Sequence, residues 1–236
     1  MDGAAARRII AALDTTDLAT ARGWAAALAP HCGMLKLGLA FFLAHGAAGY
    51  RAVAEAAGPT RIFLDLKLHD IPNTVAGGVS AVLPLRPAML TLHASGGSAM
   101  IGAARRAAEA AGDARPKILA VTVLTSLSAT DLHETGVTGS PPEQVLRLAH
   151  LALAAGADGL VCSPQEVAML RRNLGAAALL VVPGIRPAGS ASGDQARTLT
   201  PREAMVAGAD WLVIGRPITD SPSPAETTIA IGRSMA

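Results

Sequence analysis

Eight short, almost continuously apolar runs constrain this chain more than any other feature: RRIIAALD, GMLKLGL, RIFLDLKL, AMLTLHA, KILAVTVL, GLVCSP, ALLVVPGIR and WLVIGRPI. Each is about one strand long and lacks the alternation of a strand with one wet face, as expected where both faces are covered. Segments with helical period separate them. Thr15, Thr16 and Asp17 mark a helix start, Leu18, Ala21, Ala25 and Leu28 trace one face, and Pro30 lies beyond the end. Further on, SPPE puts Ser140 at an N-cap, Pro141 at the first helical position and Glu143 where a capping box needs it. Leu146, Ala149 and Leu153 continue that helix as its apolar face. Two segments echo each other, AGADGLVCS from Ala155 and AGADWLVIG from Ala207, each reading as a helix end, an Asp and a buried strand. Eight strand–helix units in 236 residues, without a linker or a break in composition, predict an α/β fold, a single (β/α)8 TIM barrel over residues 1–236. The alternative is an open doubly wound sheet, whose dinucleotide-binding version is weakened because no GxGxxG follows the first run.

In such a barrel the active site lies at the C-terminal ends of the strands. Charged residues make up only 16% of the chain, so each one inside a strand is informative. At that end stand Asp14, Lys36, Asp65 and Lys67, then Asp70, His93, Thr125, Ser163, Arg186, Gly215 and Arg216. Asp65 and Lys67 are two apart and are expected on one face of the third strand, towards the barrel axis. Leu64, Leu66 and Leu68 then point to the helices, and Lys36 on the neighbouring strand is placed to join the charges. Alternating lysines and aspartates keep every charge paired while holding an ammonium beside a reacting carbon. The competing reading is a salt-bridge plug, weakened because buried ion pairs often stabilise less than apolar replacements. For Asp70 the competing reading is a helix-start residue ahead of Pro72.

A second cluster reads as an anion site. VVPGIRPAGSASGDQARTL is long and rich in Gly and Ser, as functional loops are. Gly184, Arg186, Gln195 and Arg197 offer donors there, and IGRP adds Gly215 and Arg216; Arg197 itself reads as a solvated helix residue. Phosphate sites in these barrels use the loops after strands seven and eight, and Arg grips phosphate bidentately. His69 and His93 read as packing or supporting residues, and no His, Cys and carboxylate set has metal-ligand spacing. Scattered basic residues, a net charge of +2 and 3% aromatics argue against a nucleic-acid surface. The apolar stretch Ile9 to Leu13 ends at Asp14, too soon for a signal peptide, and no membrane span appears. Cys32 and Cys162, far apart, suit a reducing compartment, so a cytoplasmic location is expected.

LDLKLHDIPNTV resembles the signature segment of the orotidine 5′-phosphate decarboxylase family, and the resemblance runs through nearly the whole chain. ALD near the start, KLG in the second strand, VTVLTS in the fifth, PGIR in the seventh, a Gln in the following loop and IGRP in the eighth recur in order. The resemblance implies decarboxylation of orotidine 5′-monophosphate to UMP, without metal or cofactor. It makes Lys67 the proton donor to the ring carbon, Asp65 the carboxylate facing the substrate carboxylate, and Lys36 the lysine bonded to that network and to the ribose. Asp14 then binds the ribose. Asp70 reaches the partner's active site in a homodimer, with Ile71 and Thr74 beside it. Thr125 takes the pyrimidine position, which adjacent Ser126 could share. Arg186, Gln195, Gly215 and Arg216 form the phosphate set. The nearest rival is a metal-dependent sugar-phosphate decarboxylase or aldolase on the same barrel, which is expected to present a metal-binding carboxylate where this chain has Lys36. A non-catalytic nucleotide-binding barrel is the other alternative, favoured only if Lys67 or Asp65 were replaced.

Overall fold

A computed structural model describes residues 3–187 and 198–235. All eight apolar runs form strands: β1 (Ile9–Ala12), β2 (Met34–Gly38), β3 (Arg61–Leu68), β4 (Met89–His93), β5 (Lys117–Val121), β6 (Gly159–Val161), β7 (Leu179–Val182) and β8 (Trp211–Ile214). They pair in parallel in chain order, and β8 returns to β1. That closure excludes the open sheet. The helices are α1 (Gly3–Ala6), α2 (Leu18–Leu28), α3 (Leu39–Ala57), α4 (Pro72–Val82), α5 (Gly97–Glu109) and α6 (Ala129–Glu134). They continue with α7 (Pro141–Ala154), α8 (Val167–Leu174), α9 (Pro201–Ala207), α10 (Arg216–Thr219) and α11 (Pro224–Ser234).

Alternate residues of each strand serve two apolar layers. Ile10, Met34, Phe63, Met89, Leu119 and Val213 fill the inside of the barrel. Ile9, Leu35, Leu64, Leu90, Ile118 and Leu212 pack outward under the helices. Burying a side chain of this kind contributes roughly 1.5–3 kcal/mol, so these layers carry the fold. Helix α2 forms as its sequence predicts: the Asp17 carboxylate accepts from the Thr20 N–H at 2.7 Å, and Ala21, Ala25 and Leu28 are buried. Helix α7 starts at the Ser140–Glu143 capping box, but its buried face is Val145, Leu148, Ala149 and Ala152. Leu146 and Leu153 are only half-buried. Two stripes share Ala149 in this Ala- and Leu-rich helix, and docking on the barrel, not side-chain size, chooses between them.

The AGAD echo proves to be a structural clamp used twice at the N-terminal end of the barrel. Asp158 precedes β6 and accepts from the N–H of Ile118 in β5 at 2.8 Å and from Arg115 at 2.7 Å. Asp210 precedes β8 and accepts from the N–H of Leu180 in β7 at 2.8 Å and from Arg171 at 2.6 Å. In each copy an Arg of the helix leading into the odd strand, α5 before β5 and α8 before β7, also donates to the Gly carbonyl two residues before the Asp: Arg105 to Gly156 at 3.2 Å, Arg171 to Gly208 at 2.7 Å. Those glycines have φ of +100° and +107°, where an L side chain is strained. Each clamp ties an odd strand to the next even one at the end away from the polar rim. Asp158→Ala strands the Ile118 N–H and removes the anion shared by Arg105 and Arg115, so it is expected to lower the unfolding free energy in urea by about 2–3 kcal/mol. Asp210→Ala, more exposed, should cost less.

Candidate active site

The polar residues at the opposite end converge. Lys36 Nζ lies 2.9 Å from Asp14 Oδ1 and 3.5 Å from Asp65 Oδ2. Lys67 Nζ grips both oxygens of Asp65, at 2.9 and 3.0 Å. The four charges therefore form one chain, Asp14–Lys36–Asp65–Lys67. Its middle is buried and its ends are open: the side chains of Lys36 and Asp65 are 9% and 12% exposed, against 37% for Lys67 and 63% for Asp14. A molecule entering the mouth meets the Asp14 carboxylate and the Lys67 ammonium, with the buried pair between them.

The regular pairing of β3 with β4 is broken on the way, although the side chains keep the expected alternation. Leu64 pairs with Leu90 and Leu68 with Leu92, so four residues of β3 span two of β4. The bulge holds Asp65, Leu66 and Lys67, and Lys67 takes φ +51°. Asp65 and Lys67 still meet, as a same-face reading expects, but through an irregular backbone. Leu66 and Leu68 pack outward with the helix-facing layer. Gly38 ends β2 beside this cluster. A Cβ there would sit 3.3 Å from Lys36 Nζ and 3.4 Å from Asp14 Oδ1, so the absence of a side chain leaves that pair its room.

Burial alone would pull Lys36 down, but Asp65 and Asp14 outweigh it and raise its pKa above the ordinary lysine value. Burial would likewise raise the Asp65 carboxyl, yet Lys36, Lys67 and the hydroxyl of Thr91 hold it below the usual carboxylate range. His93 is lowered by burial and by its neighbours His69 and Lys67; the two rings lie 5.4 Å apart, in keeping with a packing role.

A cavity of about 420 Å³ opens over the network. Asp14, Lys36, Asp65, Lys67, Thr125, Arg186, Gly215 and Arg216 line it together with Gly184. Ala12, Phe63, Val121, Val123, Val161 and Val213 supply an apolar wall, as small-molecule sites usually have. The Arg186 N–H donates to the Leu199 carbonyl at 3.0 Å, beside an isolated bridge between Ile185 and Leu199 that pins both ends of the loop after β7. Gly215 caps the start of α10. The sequence matches the orotidine 5′-phosphate decarboxylase / HUMPS family over residues 7–231.

The chain belongs to the orotidine 5′-phosphate decarboxylase / HUMPS family. It is 55% identical over 232 residues to the orotidine 5′-phosphate decarboxylase of Gluconobacter oxydans, covering 97% of each chain. It is 52% identical over 228 residues to that of an Anaeromyxobacter species, covering 97% of this chain and 98% of the relative. The crystal structure of orotidine 5′-phosphate decarboxylase from Lactobacillus acidophilus superposes with a TM-score of 0.86 at 39% identity, over 97% of this chain and 99% of that one.

Of the residues that the family resemblance singles out, Asp70, Ile71 and Thr74 stand apart. They are exposed at the start of α4 and line no part of the cavity; Asp70 accepts from the Ile71 N–H at 2.6 Å. Gln195 and Arg197 lie outside the described residues. Thr125 lines the cavity while Ser126 does not, and Ser163 is buried outside it, its N–H donating to Glu166 at 2.9 Å. Among the described residues no group of three or more His, Cys, Asp and Glu could hold a metal ion, and no helix is long and apolar enough to cross a membrane. Cys32 and Cys162 are free and buried, and burial pushes the Cys32 thiol up to about 11. Two contributors escape the sequence reading: the apolar wall and Thr91, fully buried in β4.

The network dictates a pH dependence of stability. Asp65, with its lowered pKa, stabilises the fold above the unfolded carboxylate value of about 3.9, and this is lost as pH falls through the folded value. Lys36, with its raised pKa, stabilises below the unfolded lysine value of about 10.4, and this is lost as pH rises through the folded value. Lys36→Met should remove the Lys36 share of the alkaline loss, leaving that of buried Cys32, Cys162 and Tyr50, and, by removing a cation from Asp65, move the acid loss to higher pH. Urea denaturation across the pH range measures both.

Proposed function

We propose that this chain decarboxylates orotidine 5′-monophosphate to UMP and carbon dioxide in pyrimidine biosynthesis. The observation that carries the reading is the Asp14–Lys36–Asp65–Lys67 chain of charges at the foot of an apolar-walled cavity, with its exposed ammonium at Lys67. The pyrimidine lies against the wall near Thr125, and Asp14 and Lys36 hold the ribose. Arg186, Gly215 and Arg216, with Gln195, hold the phosphate. The carboxylate to be lost then faces Asp65. When the bond to the ring carbon breaks, its electron pair stays on that carbon and carbon dioxide departs. The Lys67 ammonium stabilises the developing anion and then donates a proton to the same carbon.

Enzymes lower barriers by roughly 8–23 kcal/mol, and a poorly delocalised carbanion needs the upper part of that range. Preorganised charge can supply much of it, because Lys67 is already held by Asp65 before substrate arrives. Repulsion between Asp65 and the substrate carboxylate adds to this, and phosphate contacts supply binding energy from the far side of the cavity. No metal or cofactor enters the proposed step. The metal-dependent sugar-phosphate chemistry of the rival reading needs a carboxylate in β2, where Lys36 extends an ammonium instead.

The same reading makes the chain a homodimer in the cytoplasm, with Asp70 and Thr74 serving the partner's site. Leu39, Leu43 and Ile71, which are 50%, 76% and 66% exposed at the starts of the consecutive helices α3 and α4, support a contact surface at the same end of the barrel as the mouth. Loss of ultraviolet absorbance from orotidine 5′-monophosphate is expected to be unaffected by excess EDTA and to fall by at least about 10³-fold in Lys67→Ala. Failure of well-folded wild type to turn over this substrate would sink the assignment and direct attention to sugar phosphates with magnesium. Asp70→Ala should also lose activity, and mixing it with Lys67→Ala should restore part of it through hybrid dimers. Confirmed hybrids without rescue would remove the shared site.

A further inference from the structure

We infer that Thr91 is a positioning residue for the reacting amine: its hydroxyl holds Lys67 in its left-handed backbone and orients Asp65 beneath it. The Lys67 N–H donates to Thr91 Oγ1 at 2.9 Å, and Thr91 Oγ1 donates to Asp65 Oδ1 at 2.9 Å. A hydroxyl has one proton. Because its oxygen accepts from the backbone of Lys67, that proton is directed to the carboxylate.

Three features make this a device and not an incidental contact. The bulge in β3 removes the regular ladder pairing between Leu64 and Leu68, so the N–H of Lys67 needs another acceptor, and a side chain of β4 supplies it. Lys67 and Arg86 are the two non-glycine residues with positive φ among the described residues, and a buried bond to the backbone opposes relaxation of Lys67. Thr91 is also 0% exposed and does not line the cavity, so it acts through Lys67 and Asp65 without touching a ligand. Its bond to Oδ1 leaves Oδ2 turned to Lys36 and shared with Lys67. One buried hydroxyl thereby sets the backbone of the amine and the orientation of the carboxylate that holds it.

The catalytic part of this assignment rests on the decarboxylase reading; the positioning part does not. Thr91→Val keeps the shape and removes the hydroxyl, whereas Thr91→Ser keeps the hydroxyl and removes a methyl. Crystal structures of both, with kinetics on orotidine 5′-monophosphate and Lys67→Ala as control, test the two parts separately. Thr91→Val is expected to move Lys67 out of the left-handed region and to lower kcat roughly 10- to 100-fold. KM should change by less than about threefold, and Thr91→Ser should stay within about threefold of wild-type kcat, since only the hydroxyl is at issue. An unmoved Lys67 with undiminished kcat in Thr91→Val overturns the proposal, as does an equal loss in the Val and Ser variants, which would mean packing alone. Should valine prevent folding, Thr91→Cys, with its weak thiol partner, serves the same comparison with Thr91→Ser. A wild type without turnover would overturn the substrate assignment, and the position of Lys67 in the variant structures would then decide the role of Thr91 by itself.

Discussion

The carboxylate of Asp65 is the interaction on which the mouth of this barrel depends. An ionised group at that depth loses several kcal/mol of hydration and persists only if its lone pairs are met. They are met by two lysines and a threonine, drawn from β2, β3 and β4. Satisfying one anion thus fixes the relative placement of three consecutive strands at their functional ends. The same requirement explains the slender neighbours: Gly38 leaves room for Lys36 to turn towards both aspartates.

The two ends of the barrel use similar chemistry for different purposes. At the N-terminal end, Asp158 and Asp210 accept from strand N–H groups and from arginines whose guanidinium groups are committed to backbone carbonyls as well. Those pairs are closed systems that lock strand to strand. At the C-terminal end the pairs are graded in exposure, and the last ammonium in the chain reaches the cavity. An ion pair at one end finishes a structure, while at the other it leaves a charge open to the cavity. The apolar layers between them keep the two sets apart.

Much of this was legible in the sequence. Eight buried runs separated by helical segments are enough to state the barrel, because few other arrangements cover both faces of so many strands. Placing Asp14, Lys36, Asp65, Lys67, Thr125, Arg186, Gly215 and Arg216 around one cavity follows from the rule that strand C-termini share a rim. The rotation of α7 was not legible, since two apolar stripes overlap at Ala149 and only packing separates them. Nor was the bulge in β3: strict alternation and a two-residue bulge both bring Asp65 and Lys67 together, so the pattern of residues does not distinguish them. Thr91 was missed because a threonine in a strand is commonplace, and its importance arises from a backbone N–H that the bulge had left without a ladder partner. The echoed AGAD segments were visible as a repeat, but the arginines that complete each clamp lie far off in the sequence and carry no signal of the pairing.

The left-handed backbone at Lys67 carries a meaning of its own. For an L residue that conformation costs on the order of 1–2 kcal/mol, which glycine alone would avoid. Glycine there would relieve the backbone but would take from Asp65 one of the two cations that meet it. A long, cationic side chain at that point serves the fold in another way: its ammonium meets the buried carboxylate of Asp65, so a local strain in the backbone is the condition on which a charge can lie beneath the mouth at all.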